Sequence, residues 1–312
     1  MTSTSGPSTP ANSAWTQSPE RSNLAILRLM VWISLRLGRP VGRLVLHGIT
    51  VYFLAFAPAA RRASRTYLRR VLGRAPTLAD GYRHVLAFAS TIHDRIYLLN
   101  ERFDLFDIDI VGEDLVRSAT AGGQGVLLIG AHLGSFEVMR AIGRQHSDHA
   151  VSMLMYEENA RKINATLSAI NPSATQDIIS LGKMESMLLA KEKIEAGHLI
   201  GMLADRGLGH DPKRDCDFLG APAPFPVGPF RVAAILRRPV LFMAGLYLGG
   251  NRYRIHFETL ADFAKVERGG RDAAIAEAQQ AYAARLEHYC RLAPYNWFNF
   301  FDFWRSDGGP GQ

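Results

Sequence analysis

From Arg21 to Ala79 the chain has no aspartate or glutamate, yet Arg21, Arg28, Arg36, Arg39, Arg43, Arg61, Arg62, Arg65, Arg69, Arg70 and Arg74 all fall there. A surface made by this stretch has no acid of its own to neutralise it, so an anionic partner is expected. Cysteine is nearly absent as well. Cys216 and Cys290 are too few for a disulfide framework and lack metal-ligand spacing, which makes free thiols in a reducing compartment the default. No serine or cysteine sits in a nucleophile-elbow pattern, so an acyl-enzyme has no obvious nucleophile. There is no internal repeat and no nucleic-acid module pattern. Met1–Pro19 is rich in Ser, Thr and Pro and lacks a positive region leading into an apolar core, so it reads as a disordered tail and not as a secretory signal.

What is present is enough for a substantial core. The 312 residues are 47% hydrophobic, with a formal charge of +7, and α/β folds of this length often form one domain. The expected division is a disordered tail over 1–20, a basic amphipathic membrane-anchoring region over 21–75, and a catalytic domain over 76–306. In the second region the arginines alternate with Leu24, Ile26, Leu27, Leu29, Met30, Trp32 and Ile33. Arg28 and Arg36 lie about 80° apart on a helix, and Arg39 and Arg43 fall between them if the helix continues past Gly38 and Pro40. Such an arginine stripe suits a helix lying in the headgroup plane of an anionic leaflet. The run Leu44–Ala60 is at the short limit of about 17 residues for a span, so an interfacial anchor, a single span and a re-entrant hairpin all remain open, as does docking on the core. Flanking arginines are expected to place the domain that follows on the cytoplasmic side of a membrane.

Past about Asn100, strand-like and helix-like runs alternate, which predicts an α/β fold with a mixed, mostly parallel sheet flanked by helices. Strands are expected at Phe106–Val111, Val126–Ile129, Ala150–Met155, Ile178–Leu181, Leu199–Ala204, Val240–Tyr247 and Tyr253–Glu258. Helices are expected at Ser135–Arg144, Asn159–Ile170, Met184–Ala196, Val227–Arg237 and Asp272–Leu292, the last with Ile275, Ala278, Tyr282, Leu286 and Tyr289 on one stripe. Pro222, Pro224, Pro226 and Pro229 mark a stiff loop. The aromatic stretch Tyr295–Trp304 suits a membrane interface or the core equally.

The segment Gly130-Ala-His-Leu-Gly-Ser-Phe-Glu137 puts a histidine just past the end of a strand, where open α/β sheets bind ligands. There His132 can act as a general base, with Glu137 in the first turns of the next helix to hold the ring and stabilise the imidazolium. Taken alone, a core histidine and a helix-start glutamate explain the pair equally well. Asp205 and Arg206 follow another strand. Arg206 is a candidate for the donor's phosphates or for a developing oxyanion, with Asp205 fixing its fork and the backbone near Gly134 helping; a loop ion pair is the plainer reading. Arg231, near the start of a helix, is a weaker candidate for the same task.

His132-Leu-Gly-Ser-Phe-Glu137 resembles the His-x-x-x-x-Glu signature of the bacterial lipid A late acyltransferase family, a branch of the lysophospholipid acyltransferase superfamily whose commoner signature ends in Asp. The resemblance continues in order through Tyr156-Glu157-Glu158-Asn159-Ala160-Arg161, Ser186–Lys191, Gly201-Met-Leu-Ala-Asp205-Arg206, Phe218–Pro222, Gly228-Pro-Phe-Arg231 and Arg238-Pro239-Val240, covering about Ile108 to Trp304. Leu292–Trp304 is similar to acyltransferases of aryl-polyene and xanthomonadin-type pigment lipid clusters. The chain departs from the family at Tyr156-Glu157-Glu158, where lipid A enzymes often carry Tyr-Arg-Pro. That puts a phosphorylated-glucosamine acceptor in doubt, with Arg161 or Lys162 as candidate substitutes for the missing cation. The resemblance implies transfer of an acyl group from an acyl carrier protein or coenzyme A thioester to a hydroxyl or amine of a lipid-like acceptor, with no metal or redox cofactor and no nucleic acid. Two other functions stay open: a catalytically silent lipid-binding or assembly protein, and a thioesterase using water.

Overall fold

A computed structural model describes residues 20–138, 150–157, 166–167, 170–171, 178–181, 184–207 and 211–304. Its centre is a seven-stranded sheet built from β1 (Asp107–Val111), β2 (Leu127–Gly130), β3 (Val151–Tyr156), β4 (Ile178–Leu181), β5 (Leu199–Leu203), β8 (Pro239–Gly249) and β9 (Arg252–Asp262), in the order β1-β9-β8-β2-β5-β3-β4. Every pairing is parallel except β8 with β9, which form a hairpin. The central strand β2 is buried along its whole length, as unbroken apolar runs in parallel sheets require because both faces are covered.

Three helices precede the sheet: α1 (Glu20–Phe56), α2 (Pro58–Leu72) and α3 (Leu78–Leu99). α1 is broken at Gly38, whose φ of 82° is non-helical. Pro40 explains the break, since it lacks an N–H and its ring clashes with the preceding turn. Thr77 and Asp80 form a reciprocal capping box at the start of α3. The remaining helices are α4 (Glu113–Thr120), α5 (Met184–Glu195), α6 (Gly228–Leu236) and α7 (Arg271–Leu292). The stripe expected on α7 is realised: Ile275, Ala278, Tyr282, Leu286 and Tyr289 are all buried. They share the main core with Tyr67, Leu68 and Val71 of α2 and with Trp297, so α2 packs into the body of the protein. The Tyr282 hydroxyl donates to the carbonyl of Gly130 at 2.9 Å and anchors the end of β2.

Two expectations need correction. The proline-marked loop is a two-stranded antiparallel hairpin, β6 (Lys213–Phe218) and β7 (Ala221–Pro226). Pro222, Pro224 and Pro226 alternate along β7, so their missing N–H groups all lie on one edge of a strand with a single partner, where no donor is needed. The second correction concerns the arginine stripe. Arg39 and Arg43 turn inward onto the fully buried carboxylate of Asp94, with Arg39 Nε 2.9 Å from Oδ1 and Arg43 Nη2 2.7 Å from Oδ2. The Tyr253 hydroxyl also donates to Oδ2 at 2.7 Å. A buried carboxylate demands such partners, and this demand, absent from any helical-periodicity argument, draws both arginines away from the surface. The expected helix Asn159–Ile170, and Ser135–Arg144 beyond Val138, fall largely outside the described residues.

Candidate active site

Parallel pairing builds the site. β2 and β5 are neighbours with Gly130 opposite Leu203, and the Ala204 N–H donates to the Gly130 carbonyl at 3.0 Å. Both strands stop at the same level. Two residues further on, His132 and Asp205 therefore stand side by side. Asp205 Oδ1 accepts from His132 Nδ1 at 2.8 Å, and Oδ2 accepts from the His132 backbone N–H at 3.1 Å and from the Trp297 indole at 3.0 Å.

This arrangement fixes the chemistry of the ring. Asp205 is fully buried, which alone would raise its pKa, but His132, Arg206 and the Trp297 indole outweigh burial and hold it well below the usual carboxylate range. An ionised Asp205 on Nδ1 makes that nitrogen the protonated one and leaves Nε2 as acceptor. Nε2 has no hydrogen-bond partner among the described residues, and the His132 side chain is 37% exposed. Burial of its inner edge, then the Arg206 charge and more weakly that of Arg95, lower the His132 pKa against the opposing pull of Asp205. The imidazole is therefore neutral at pH 7, as a general base must be.

The loop after β2 is clamped by a segment far downstream. The Gly134 N–H donates to the Asn296 carbonyl at 2.8 Å, Ser135 N–H to the Gly245 carbonyl at 2.8 Å, and Phe298 N–H to the His132 carbonyl at 2.9 Å. Gly134 has φ 68°, and a Cβ there would collide with the Gly245 carbonyl oxygen, so only glycine fits. Behind Trp297, His84 of α3 bridges the Trp297 carbonyl and Ser64 Oγ at 2.8 Å each. Ser135 then caps the next helix by accepting from the Val138 N–H.

Of the residues expected at the site, the structure joins His132 to Asp205 and places Arg206 beside them. Arg206 Nη2 donates to the Phe298 carbonyl, its guanidinium lies 5.3 Å from the Phe301 ring centre, and its Nε is 4.0 Å from Asp205. Asp205 thus serves the histidine more than the arginine. The Gly134 N–H, engaged by Asn296, is not available for an oxyanion. Glu137 lies in the first turn of the helix that begins at Phe136 and faces α3, with Oε1 2.8 Å from Arg95 Nε. The bond to Nδ1 expected of Glu137 is made by Asp205 instead, because the cap at Ser135 and the turn at Gly134 carry Glu137 off the imidazole. Arg231 is exposed on α6. Arg161 and Lys162 lie outside the described residues.

Trp297, Asn296 and Arg95 were not singled out from the sequence. A tryptophan whose indole needs a partner once buried was the available signal, inside an aromatic stretch equally suited to a membrane interface. Among the described residues no three His, Cys, Asp or Glu side chains cluster as metal ligands. Cys216 and Cys290 are buried, with thiols pushed up by desolvation, Cys216 to about 11, and so are poor nucleophiles.

A histidine backed by a buried aspartate, at the carboxyl ends of two central parallel strands, is an arrangement in an α/β fold that suits general-base chemistry. The chain belongs to the bacterial lipid A biosynthesis acyltransferase family, whose model matches residues 16–306. It is an acyltransferase of the kind that uses an acyl thioester and a lipid-like acceptor. No curated protein sequence matches the chain.

Proposed function

We propose that the protein moves an acyl group from an acyl carrier protein or coenzyme A thioester to a hydroxyl or amine of a lipid at the cytoplasmic face of a bacterial inner membrane. The observation that carries this reading is the His132 imidazole, tied to Asp205 through Nδ1 with Nε2 turned to the open side. Nε2 takes the proton of the acceptor hydroxyl as its oxygen attacks the thioester carbonyl, and Asp205 stabilises the imidazolium. Collapse of the tetrahedral intermediate breaks the C–S bond, and the proton passes from Nε2 to the departing thiolate. The C–O bond formed replaces the C–S bond lost, and no cofactor enters.

The acceptor is read as a lipid other than phosphorylated glucosamine, in keeping with Glu157 where an arginine is common and with the pigment-lipid likeness of Leu292–Trp304. Membrane attachment is read from two adjoining faces. Val41, Leu44, Val51, Tyr52 and Phe56 project from the second half of α1, with Leu44 73% and Phe56 72% exposed. Across a 97° bend, α2 presents exposed Arg61, Arg62, Arg65 and Arg69. No single helix among the described residues is long and apolar enough to cross a bilayer, and the bent pair of α1 and α2 is so only when taken together; the exposed arginines favour interfacial docking, with about 1 kcal/mol per arginine near an anionic surface.

The test is thioester turnover by purified full-length protein with bacterial lipid vesicles, products followed by mass spectrometry. Acylated lipid is expected. Free acid at the same rate without lipid would mark a thioesterase, and no turnover with any acyl carrier protein or coenzyme A thioester would mark a silent binding protein.

A further inference from the structure

The donors surrounding His132 are nearly all engaged. The backbone N–H groups of His132, Gly134 and Ser135 serve Asp205, Asn296 and Gly245, and Arg206 is held by the Phe298 carbonyl and the Phe301 ring. A tetrahedral intermediate bears a full negative charge on the former carbonyl oxygen, and catalysis needs a donor aimed at it. Among the described residues, Arg95 is the cation left. It projects from the last turns of α3, its side chain is only 23% exposed, and among the described residues Glu137 is its one partner. A guanidinium has five N–H donors and one carboxylate satisfies at most two of them, so most of Arg95's donors await an acceptor. Of its nitrogens only Nε, beside Glu137, is buried without a hydrogen bond, so the terminal nitrogens are open to a ligand, and its charge is felt at the His132 ring.

We propose that Arg95 is the residue that stabilises the oxyanion, and that Glu137 is a positioning residue holding the Arg95 fork instead of the His132 ring. The inference rests on the acyl-transfer reading above. As the acceptor oxygen bonds to the carbonyl carbon, the carbonyl electron pair moves onto oxygen and Arg95 donates to it. When the carbonyl re-forms, the thiolate leaves and takes the proton from His132. Arg95 stays protonated throughout. Glu137, with Oε1 2.8 Å from Arg95 Nε, holds the guanidinium in place. This assignment also supplies, from α3, a cation for a site that lacks an arginine after Tyr156.

Kinetics of the full chain with vesicles test the assignment. Arg95→Ala should lower kcat by on the order of 10²–10³ with little change in KM, Arg95→Lys should recover part of the loss, and added guanidinium ion should partly rescue Arg95→Ala but not His132→Ala. Glu137→Gln should fall less than Arg95→Ala, and the double variant should be no slower than Arg95→Ala alone, because the two act as a unit. The acid limb of the pH profile should persist in Glu137→Gln. If Glu137→Gln instead matches His132→Ala and loses that limb while Arg95→Ala stays near wild type, the assignment is overturned.

A measurement without turnover separates this claim from the reading beneath it. Decylphosphonate presents a tetrahedral anion on an alkyl chain, and decanol is its neutral counterpart. Calorimetry should show Arg95→Ala binding the phosphonate at least about tenfold more weakly, roughly the loss of one charged hydrogen bond, with decanol binding unchanged. Equal phosphonate binding by both proteins sinks the anion site. Arg95-dependent binding in a protein that turns over no thioester would keep the site and remove acyl transfer.

Discussion

Asp205 Oδ1 lies 2.8 Å from His132 Nδ1, a contact produced by two parallel strands that end in register. If His132 is the base and Asp205 its support, His132→Ala should lower acyl transfer by on the order of 10²–10⁴. Asp205→Asn should come close to it, because the amide neither stabilises imidazolium nor enforces the tautomer. The His132→Ala/Asp205→Asn double variant should be little slower than either. Steady-state rates on folded proteins decide; an active Asp205→Asn enzyme would leave the pair a structural one.

The pH profile follows from the same contacts. Burial and Arg206 lower the His132 pKa, so the imidazole stays neutral below the pH at which a solvated histidine protonates. Activity should fall on the acid side, with a midpoint below the usual histidine value of about 6.5. In Arg206→Gln one cation is gone and the limb should move to higher pH. A limb that does not move would mean that the Arg206 charge is not felt at the ring.

Gly134→Ala introduces a Cβ at φ 68° against the Gly245 carbonyl. Left-handed strain alone costs about 1–2 kcal/mol, and forcing the backbone apart adds about 1–3 kcal/mol. A lower Tm and an inactive enzyme are expected together, since the displaced loop carries His132. Unchanged stability by thermal melting would show that the loop yields to the added methyl group without cost.

Buried His84 titrates near 4, lowered chiefly by desolvation and only partly restored by the Trp297 carbonyl. The unfolded chain takes up a proton at about 6.5 while the folded protein does not. Stability is therefore fully present above that pH and declines as pH falls towards 4, by on the order of 3 kcal/mol. His93 titrates in the same window. His84→Gln, which can still donate to the Trp297 carbonyl, should flatten the decline measured by urea unfolding between pH 7 and 4; an unaltered slope would place the titration elsewhere.

The N-terminal arginines should divide into two groups. Replacing Arg61, Arg62, Arg65 and Arg69 by Gln, or Leu44, Val51 and Phe56 by Asp, should weaken sedimentation with anionic vesicles while leaving unfolding unchanged. Arg43→Gln should do the reverse, lowering stability by about 1–3 kcal/mol by leaving the Asp94 carboxylate short of a charged partner. Vesicle binding lost equally in Arg43→Gln would reverse that division.

Much of the frame could be read in the residues. The strand runs, the α7 stripe and the placing of His132 and Asp205 at strand ends all rest on local pattern, which periodicity reports well. Strand order does not. β3 and β4 intervene in the chain between β2 and β5, so nothing near His132 reveals that its partner is 73 residues away, whereas Glu137 is close in sequence and drew the role. Arg39 and Arg43 misled for a related reason, because Asp94 reaches them from another helix. The prolines of β7 hid a strand whose outer edge has no use for N–H groups.

The Trp297 carbonyl meets His84 across 213 residues of chain, and the same short segment closes over the loop of His132. During synthesis at about 5–20 residues per second, the strands and α7 emerge before Tyr295–Asn299 does. A ribosome-bound chain stopped short of Trp297 would hold His132 and Asp205 in its sequence without the clamp that sets their geometry. The geometry of His132 and Asp205 is therefore completed late, when the segment carrying Asn296, Trp297 and Phe298 has packed against the loop after β2 and against α3.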